Sequence, residues 1–270
     1  MKATVLIDNI AKDNLKGEWG LSIFIEHEDK RILLDAGASE NFCDNAKKLN
    51  IPLSKVDYAI LSHAHYDHSN GMDCFFKENT KAKFYLSAEC KENCYGKRWI
   101  FSKYIGIKKG TTEKYKDRIA YVKGDKVLSP GVSLIGHKTK GLEENGKADG
   151  LCIKENGKLR YDNFSHEQSL VIDTKKGLVI FNSCCHGGAD NIIAEVQKSY
   201  PNKKIYALVG GFHLYRACEN EVVSLANRIK KTGIERIYTG HCTGKKAFDI
   251  LKSELGNTVQ QLYVGMVIEA

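Results

Sequence analysis

Three apolar runs in the C-terminal half, at 177–182, 205–209 and 236–239, each stop at a loop carrying glycine and histidine and are each followed by a segment of helical spacing. Runs of this length, rich in β-branched residues, read as buried strands, and strand, loop and helix in series predict an open α/β sheet. The loops are Ser183-Cys184-Cys185-His186-Gly187-Gly188, Gly210-Gly211-Phe212-His213 and Gly240-His241-Cys242-Thr243-Gly244. Functional groups of such sheets gather at the carboxyl ends of strands, which places His186, His213 and His241 along one edge. A single strand-end histidine is more often packed than functional. Three in register point to a shared site.

The N-terminal half supplies a denser cluster. Strands are predicted over 4–8, 20–26 and 31–35, a helix over 41–49, and then the strand-like Tyr58-Ala59-Ile60-Leu61 runs into Ser62-His63-Ala64-His65-Tyr66-Asp67-His68-Ser69-Asn70-Gly71. Alternate strand residues point the same way, so His63 and His65 leave the strand end as a pair, and the following turn brings Asp67 and His68 alongside. Three imidazoles and a carboxylate suit one or two divalent ions, Zn²⁺ first and Mn²⁺ or Fe as alternatives. An open coordination position on such an ion lowers the pKa of a bound water towards neutrality.

His63-x-His65-x-Asp67-His68 after an apolar strand, with Leu33-Leu34-Asp35-Ala36-Gly37 upstream, resembles the metallo-β-lactamase superfamily. The resemblance implies a four-layer αβ/βα sandwich, two mixed sheets with helices on both outer faces, and a metal centre at the sheet edges. It implies that Asp35 is not a ligand but holds a ligand imidazole by hydrogen bond. His241 matches the last metal-binding histidine. The aspartate that usually bridges two metals falls at Asn182-Ser183-Cys184, so either Cys184 as a thiolate or His186 supplies that ligand, with His186 preferred. The middle histidine's loop is here 162–170 and lacks the usual Pro-Gly, which leaves His166 as a further ligand or a substrate contact. His213 is expected to donate a proton or stabilise an oxyanion, and Asp67 to orient the nucleophile as well as bind metal. The segments around His166, His186, His213 and His241 narrow the resemblance, across nearly the whole chain, to the dihydropterin-aminobenzene-phosphate synthase-like branch.

The rest of the sequence bounds these expectations. A chain of 270 residues can form one large domain, with an inserted subdomain at about 88–162 where the strand pattern degrades. The formal net charge is +8, but the lysines are scattered in pairs and no nucleic-acid module is present. A small, anionic substrate is therefore expected, with no specific nucleic acid and with homo-oligomerisation left open. No apolar stretch approaches 18 residues and no signal-like segment is seen, so no membrane and a cytoplasmic location are expected. Nine cysteines, most inside regular elements, read as reduced. Cys90-x-x-x-Cys94 fits one turn of helix and reads as helix-face cysteines. The stretch 138–146 reads as a polar loop and 259–268 as one last strand.

The function expected is a metal-dependent hydrolase in which a metal-bound hydroxide attacks a phosphoryl or acyl centre of a small, phosphorylated substrate. One metal would sit on His63, His65 and a third histidine, the other on Asp67, His68 and His241. The alternatives are a pterin-pathway synthase, joining carbon to nitrogen with release of pyrophosphate, and a non-catalytic metal-binding protein. An oxidoreductase like the flavodiiron branch is disfavoured, because those relatives carry Glu where this chain has His65.

Overall fold

Alternation along the strands decides the layers. In the computed structural model, which describes all 270 residues, Ile23 and Ile25 of strand Ser22–His27 enter one apolar cluster while Phe24 between them enters another. Ile32 and Leu34 part from Leu33 in the same way, and across the molecule Val179 and Phe181 part from Leu178 and Ile180. Each strand thus has two apolar faces, one for the opposite sheet and one for helices. Burying each such side chain contributes about 1.5–3 kcal/mol, which is why a sheet covered on both faces tolerates so few polar interruptions.

The first sheet has seven strands in the spatial order Val267–Glu269, Lys2–Ile7, Ser22–His27, Lys30–Leu34, Tyr58–Ile60, Lys83–Ser87 and Ile119–Val122. Its early pairs are antiparallel and the last three parallel. The second sheet runs Val259–Gln261, Arg236–Thr239, Ile205–Val209, Gly177–Phe181, Gln168–Thr174, Val132–Gly136 and Lys126–Ser129. Here the first three pairs are parallel and the others antiparallel. Helices Asn41–Lys48 and Met72–Glu78 pack on the outer face of the first sheet, and Ala189–Ser199, Glu219–Thr232 and Lys245–Leu255 on the outer face of the second. The outcome is the four-layer αβ/βα sandwich that the sequence predicts.

Residues 88–162 divide. Two hairpins, Cys94–Arg98 with Phe101–Tyr104 and Leu151–Glu155 with Lys158–Tyr161, form a separate four-stranded sheet, while the chain between them returns to both main sheets.

Four local expectations are corrected. Cys90 precedes a strand and Cys94 opens it, so the pair does not share a helix face; a spacing of four cannot distinguish one helical turn from a turn-then-strand. Cys43 and Cys74 form a disulfide between helices Asn41–Lys48 and Met72–Glu78, and the other seven cysteines are free. Their separation of 31 residues carries no sequence signal of the contact, which arises because both helices lie on the same sheet. The polar stretch 138–146 ends inside helix Glu143–Asp149. The last strand is two, Val259–Gln261 in the second sheet and Val267–Glu269 in the first, because Leu262 to Met266 turn the chain across the sandwich. No helix is long and apolar enough to cross a membrane.

Candidate metal centre

Strand Lys30–Leu34 ends at Asp35, whose buried carboxylate organises the neighbouring loop. Its Oδ1 accepts the Ser62 backbone N–H at 2.7 Å, and its Oδ2 accepts the Ser62 hydroxyl at 2.6 Å and His68 Nδ1–H at 2.8 Å. Because the Ser62 hydroxyl donates to Asp35, its oxygen accepts from His63 Nδ1 at 2.8 Å. Both imidazoles thereby carry their proton on Nδ1 and turn a bare Nε2 away from the strand. On the far side, Asn9 Oδ1 lies 3.0 Å from His241 Nδ1, so Nδ1 donates there and Nε2 is the nitrogen left to face a metal.

These nitrogens converge. His63, His65 and His186 can present three ring nitrogens within 4.8 Å of one another, and His63, His68 and Cys184 can present two ring nitrogens and a sulfur as close together. Cys184 Sγ is 3.2 Å from His68 Nε2, and Asp67 Oδ2 lies 3.5 Å from His241 Nε2 and 3.8 Å from His68 Nε2. His63 Nε2, His65 Nε2, both ring nitrogens of His186 and His241 Nε2 are buried without any hydrogen-bond partner. An unpartnered buried polar atom costs about 1–3 kcal/mol, so four histidines with such nitrogens, three of them converging, describe a cradle for a ligand that accepts lone pairs. The donor set of imidazoles, a carboxylate and a thiol fits divalent metal ions.

Charge follows from burial. Burial holds His63 and His186 well below the usual imidazole range, aided by their neighbouring histidines, and brings His65 down to about 3. All three are neutral at physiological pH, the form that coordinates. Burial works against ionisation of Asp67, but His68 and His241 outweigh it and keep the carboxylate charged. His241 moves the other way, to about 9, because Cys242 and Asp67 overcome its burial.

His166 is placed differently. Its Nδ1 accepts the Ala64 N–H at 3.2 Å, and its Nε2 faces Asp162 at 3.0 Å and the Cys94 thiol at 3.8 Å. Both ring nitrogens are used within the protein, and the residue braces the backbone between His63 and His65. Cys184 and His186, weighed in the sequence as rivals for one ligand position, face different neighbours, Cys184 towards His68 and His186 towards His63 and His65. His213 stands at the rim, 4.4 Å from the His186 ring, with Nε2 3.5 Å from Asp149.

Sequence reading assigned no role to Glu167, yet its buried carboxylate receives the backbone N–H groups of His186 at 2.9 Å and Gly187 at 3.0 Å and so aims the His186 loop. The His186 ring lies flat on Phe164, centroids 4.5 Å apart and planes 2° apart. Gly210 admits the neighbouring loop, since a Cβ there would fall 1.8 Å from the Asn182 carbonyl oxygen. The backbone is left-handed at Asp35, Phe164, Cys185, His213 and His241, none of them glycine. The only signal for Glu167 in the sequence is adjacency to His166.

A profile of the metallo-β-lactamase superfamily matches residues 20–147. Over 269 residues the chain is 33% identical to 7,8-dihydropterin-6-methyl-4-(β-D-ribofuranosyl)-aminobenzene-5′-phosphate synthase of Methanocaldococcus jannaschii, covering 93% of this chain and 89% of that protein. The chain belongs to the metallo-β-lactamase superfamily, in the dihydropterin-aminobenzene-phosphate synthase-like branch. Another relative from that organism, an uncharacterised protein, is 28% identical over 98% of both chains. The crystal structure of Tm1679, a metal-dependent hydrolase of the β-lactamase superfamily, superposes with a TM-score of 0.84 at 28% identity, covering 100% of this chain and 99% of the other.

Members of the metallo-β-lactamase superfamily bind divalent metals, a ligand class that the donor set of the cradle fits. Beside the cradle this superfamily member has an open cavity of about 600 Å³. Its walls carry Trp19 and Tyr215, whose rings are 5.3 Å apart, and Trp19 lies 5.2 Å from the His241 ring. His65, Asp67, Cys184 and His186 line its floor, and His213 lines it at the rim.

Proposed function

We propose that this protein is a metal-dependent hydrolase of a small, phosphorylated substrate. The observation that carries the reading is the convergence of buried, unpartnered ring nitrogens of His63, His65 and His186, two of which line a cavity open to small molecules. His63, His65 and His186 would hold one ion, and Asp67, His68, His241 and Cys184 a second. Bound there, the ions would supply Lewis acidity and lower the pKa of a water.

The protein's own groups do the rest. Asp35 and Asn9 fix the tautomers of His68 and His241, so the nitrogens that bind are set before any ligand arrives. His213 is buried, which opposes protonation, but Cys242 and Asp149 raise its pKa above the ordinary imidazole value. That shift favours its protonated form, and at the cavity rim it can pass a proton to a leaving oxygen. Trp19 and Tyr215 give the cavity an aromatic wall beside His213 and His241.

The test is metal analysis of protein purified without added metal, together with turnover of a panel of phosphomonoesters, phosphodiesters and lactones. Replacing His65 and Asp67 together by Ala is expected to remove both metal and turnover; full metal content and activity in that variant would sink the reading. A second reading is favoured by the synthase relative, which shares 33% identity over 93% of this chain. In it the same groups assist carbon–nitrogen bond formation with pyrophosphate as leaving group, and turnover of a dihydropterin pyrophosphate with an aminobenzene ribotide, but of no ester, selects it.

A further inference from the structure

The cavity has a charge asymmetry that the metal centre does not use. Lys97, Arg98, Lys103 and Arg216 line it, and the only carboxylates on its wall are Asp67, committed to the histidines, and Asp149, beside His213. None of the four cations has an ion-pair partner, although lysines elsewhere on the surface pair freely with Asp and Glu. Three of them come from one hairpin of the small four-stranded sheet. In its register Gly96 faces Lys103 and Arg98 faces Phe101, so Gly96, Arg98 and Lys103 share one face of the ribbon. Nothing crowds that face at Gly96, where a Cβ would meet only the Ile105 side chain, at 3.7 Å. Two unpaired cations thus flank a position with no side chain, which is the shape of an anion seat. Also on the cavity wall, the Arg216 guanidinium lies over the Tyr215 ring at 5.0 Å, and Tyr215 meets Trp19 edge to face.

We infer that Gly96, Arg98 and Lys103, together with Arg216, form a phosphate subsite that seats the dianionic end of a planar substrate whose ring lies against Trp19 and Tyr215. This rests on the proposed reading of the cavity as the active site, and it assigns specificity to the small sheet, apart from the metal floor. Guanidinium and ammonium groups bind phosphate oxygens by charge-assisted hydrogen bonds, and a cavity lined by one sign of charge concentrates the opposite ion. Aromatic walls favour a flat ring over an aliphatic chain of equal size.

The probe is phenylphosphonate, which is dianionic, aromatic and not hydrolysed, titrated calorimetrically into metal-loaded protein. Combining Arg98→Glu with Lys103→Glu is expected to weaken binding by about tenfold or more while metal content stays that of wild type. Equal affinity in wild type and that variant overturns the subsite, because the anion then sits on the metals alone. Should the double variant fold poorly, Lys103→Gln and Arg216→Gln singly are each expected to weaken phenylphosphonate by about threefold, and no effect of either overturns it. Trp19→Leu is expected to weaken phenylphosphonate but not methylphosphonate; equal losses for both overturn the ring-stacking part. Phosphonate binding that depends on Arg98 and Lys103 in protein that hydrolyses no ester defeats the hydrolase reading and leaves the subsite standing. Binding indifferent to these residues in an active metallohydrolase does the reverse.

Discussion

The Cys184 thiol lies 3.2 Å from His68 Nε2, across 116 residues of chain, and joins the two halves of the candidate centre. Burial pushes that thiol well above its ordinary pKa, so it carries its proton until a metal displaces it. With Co²⁺ in the site, wild type is expected to show thiolate-to-cobalt charge-transfer absorption and Cys184→Ser to lack it. The same band in the serine variant removes Cys184 from the ligand set.

His186 and His166 separate by the same logic. His186 has both ring nitrogens unpartnered, whereas His166 spends both on Ala64, Asp162 and Cys94. His186→Ala is expected to lose about one metal equivalent and at least 100-fold in kcat/KM, and His166→Ala to keep its metal stoichiometry with an affinity lowered about 10–100-fold. Elemental analysis of the two purified variants decides, and the opposite pattern reverses the assignment.

Glu167 offers a test that touches no ligand. Glu167→Gln keeps the size but turns an amide N–H₂ towards the backbone N–H of His186 or Gly187. That lost hydrogen bond is expected to cost about 1–3 kcal/mol of stability and to weaken metal binding with it. Thermal melts with and without chelator measure both, and an unchanged melting temperature would rule out this bracing role.

Stability of the metal-stripped protein depends on pH in opposite directions below and above about 6.5. His63, His65 and His186 titrate below the unfolded value of about 6.5, so between there and about 3, where His65 titrates, the unfolded chain binds more protons and acid destabilises. Asp8, raised to about 6 by burial, opposes this, as do the raised Asp149 and Glu167 at lower pH, while the lowered His27 adds to it. Above 6.5 the order inverts: His241 at about 9 and His213, also raised, add stability that is lost as pH rises through their folded values. Melting temperature after chelation is expected to peak near pH 6.5 and fall on both sides, and a monotonic profile from pH 4.5 to 9 would contradict it.

The fold and the first half of the centre were legible because they are local. Period-two alternation at Ile23-Phe24-Ile25 marks a strand buried on both faces, and four coordinating residues within 63–68 need no knowledge of distant contacts. The second half was legible in kind but not in detail. Cys184 and His186 are two residues apart, and which neighbour each meets depends on the positive φ at Cys185 and on the Glu167 contacts, both tertiary outcomes. Cys94 shows the same limit, since only pairing with Leu151–Glu155 carries it to His166. The Cys43–Cys74 bridge needed the packing of two helices on one sheet.

Left-handed backbone at Asp35, Phe164, Cys185, His213 and His241 has a consequence for how far this scaffold can be toughened. Each such residue carries roughly 1–3 kcal/mol of conformational cost that surrounding structure must overcome. Glycine would relax these positions, and at Cys185 the change would also free the neighbouring His186 to wander. Durability and aim are therefore coupled in the same few peptide units, and hardening the protein has to start elsewhere, on the outer helices.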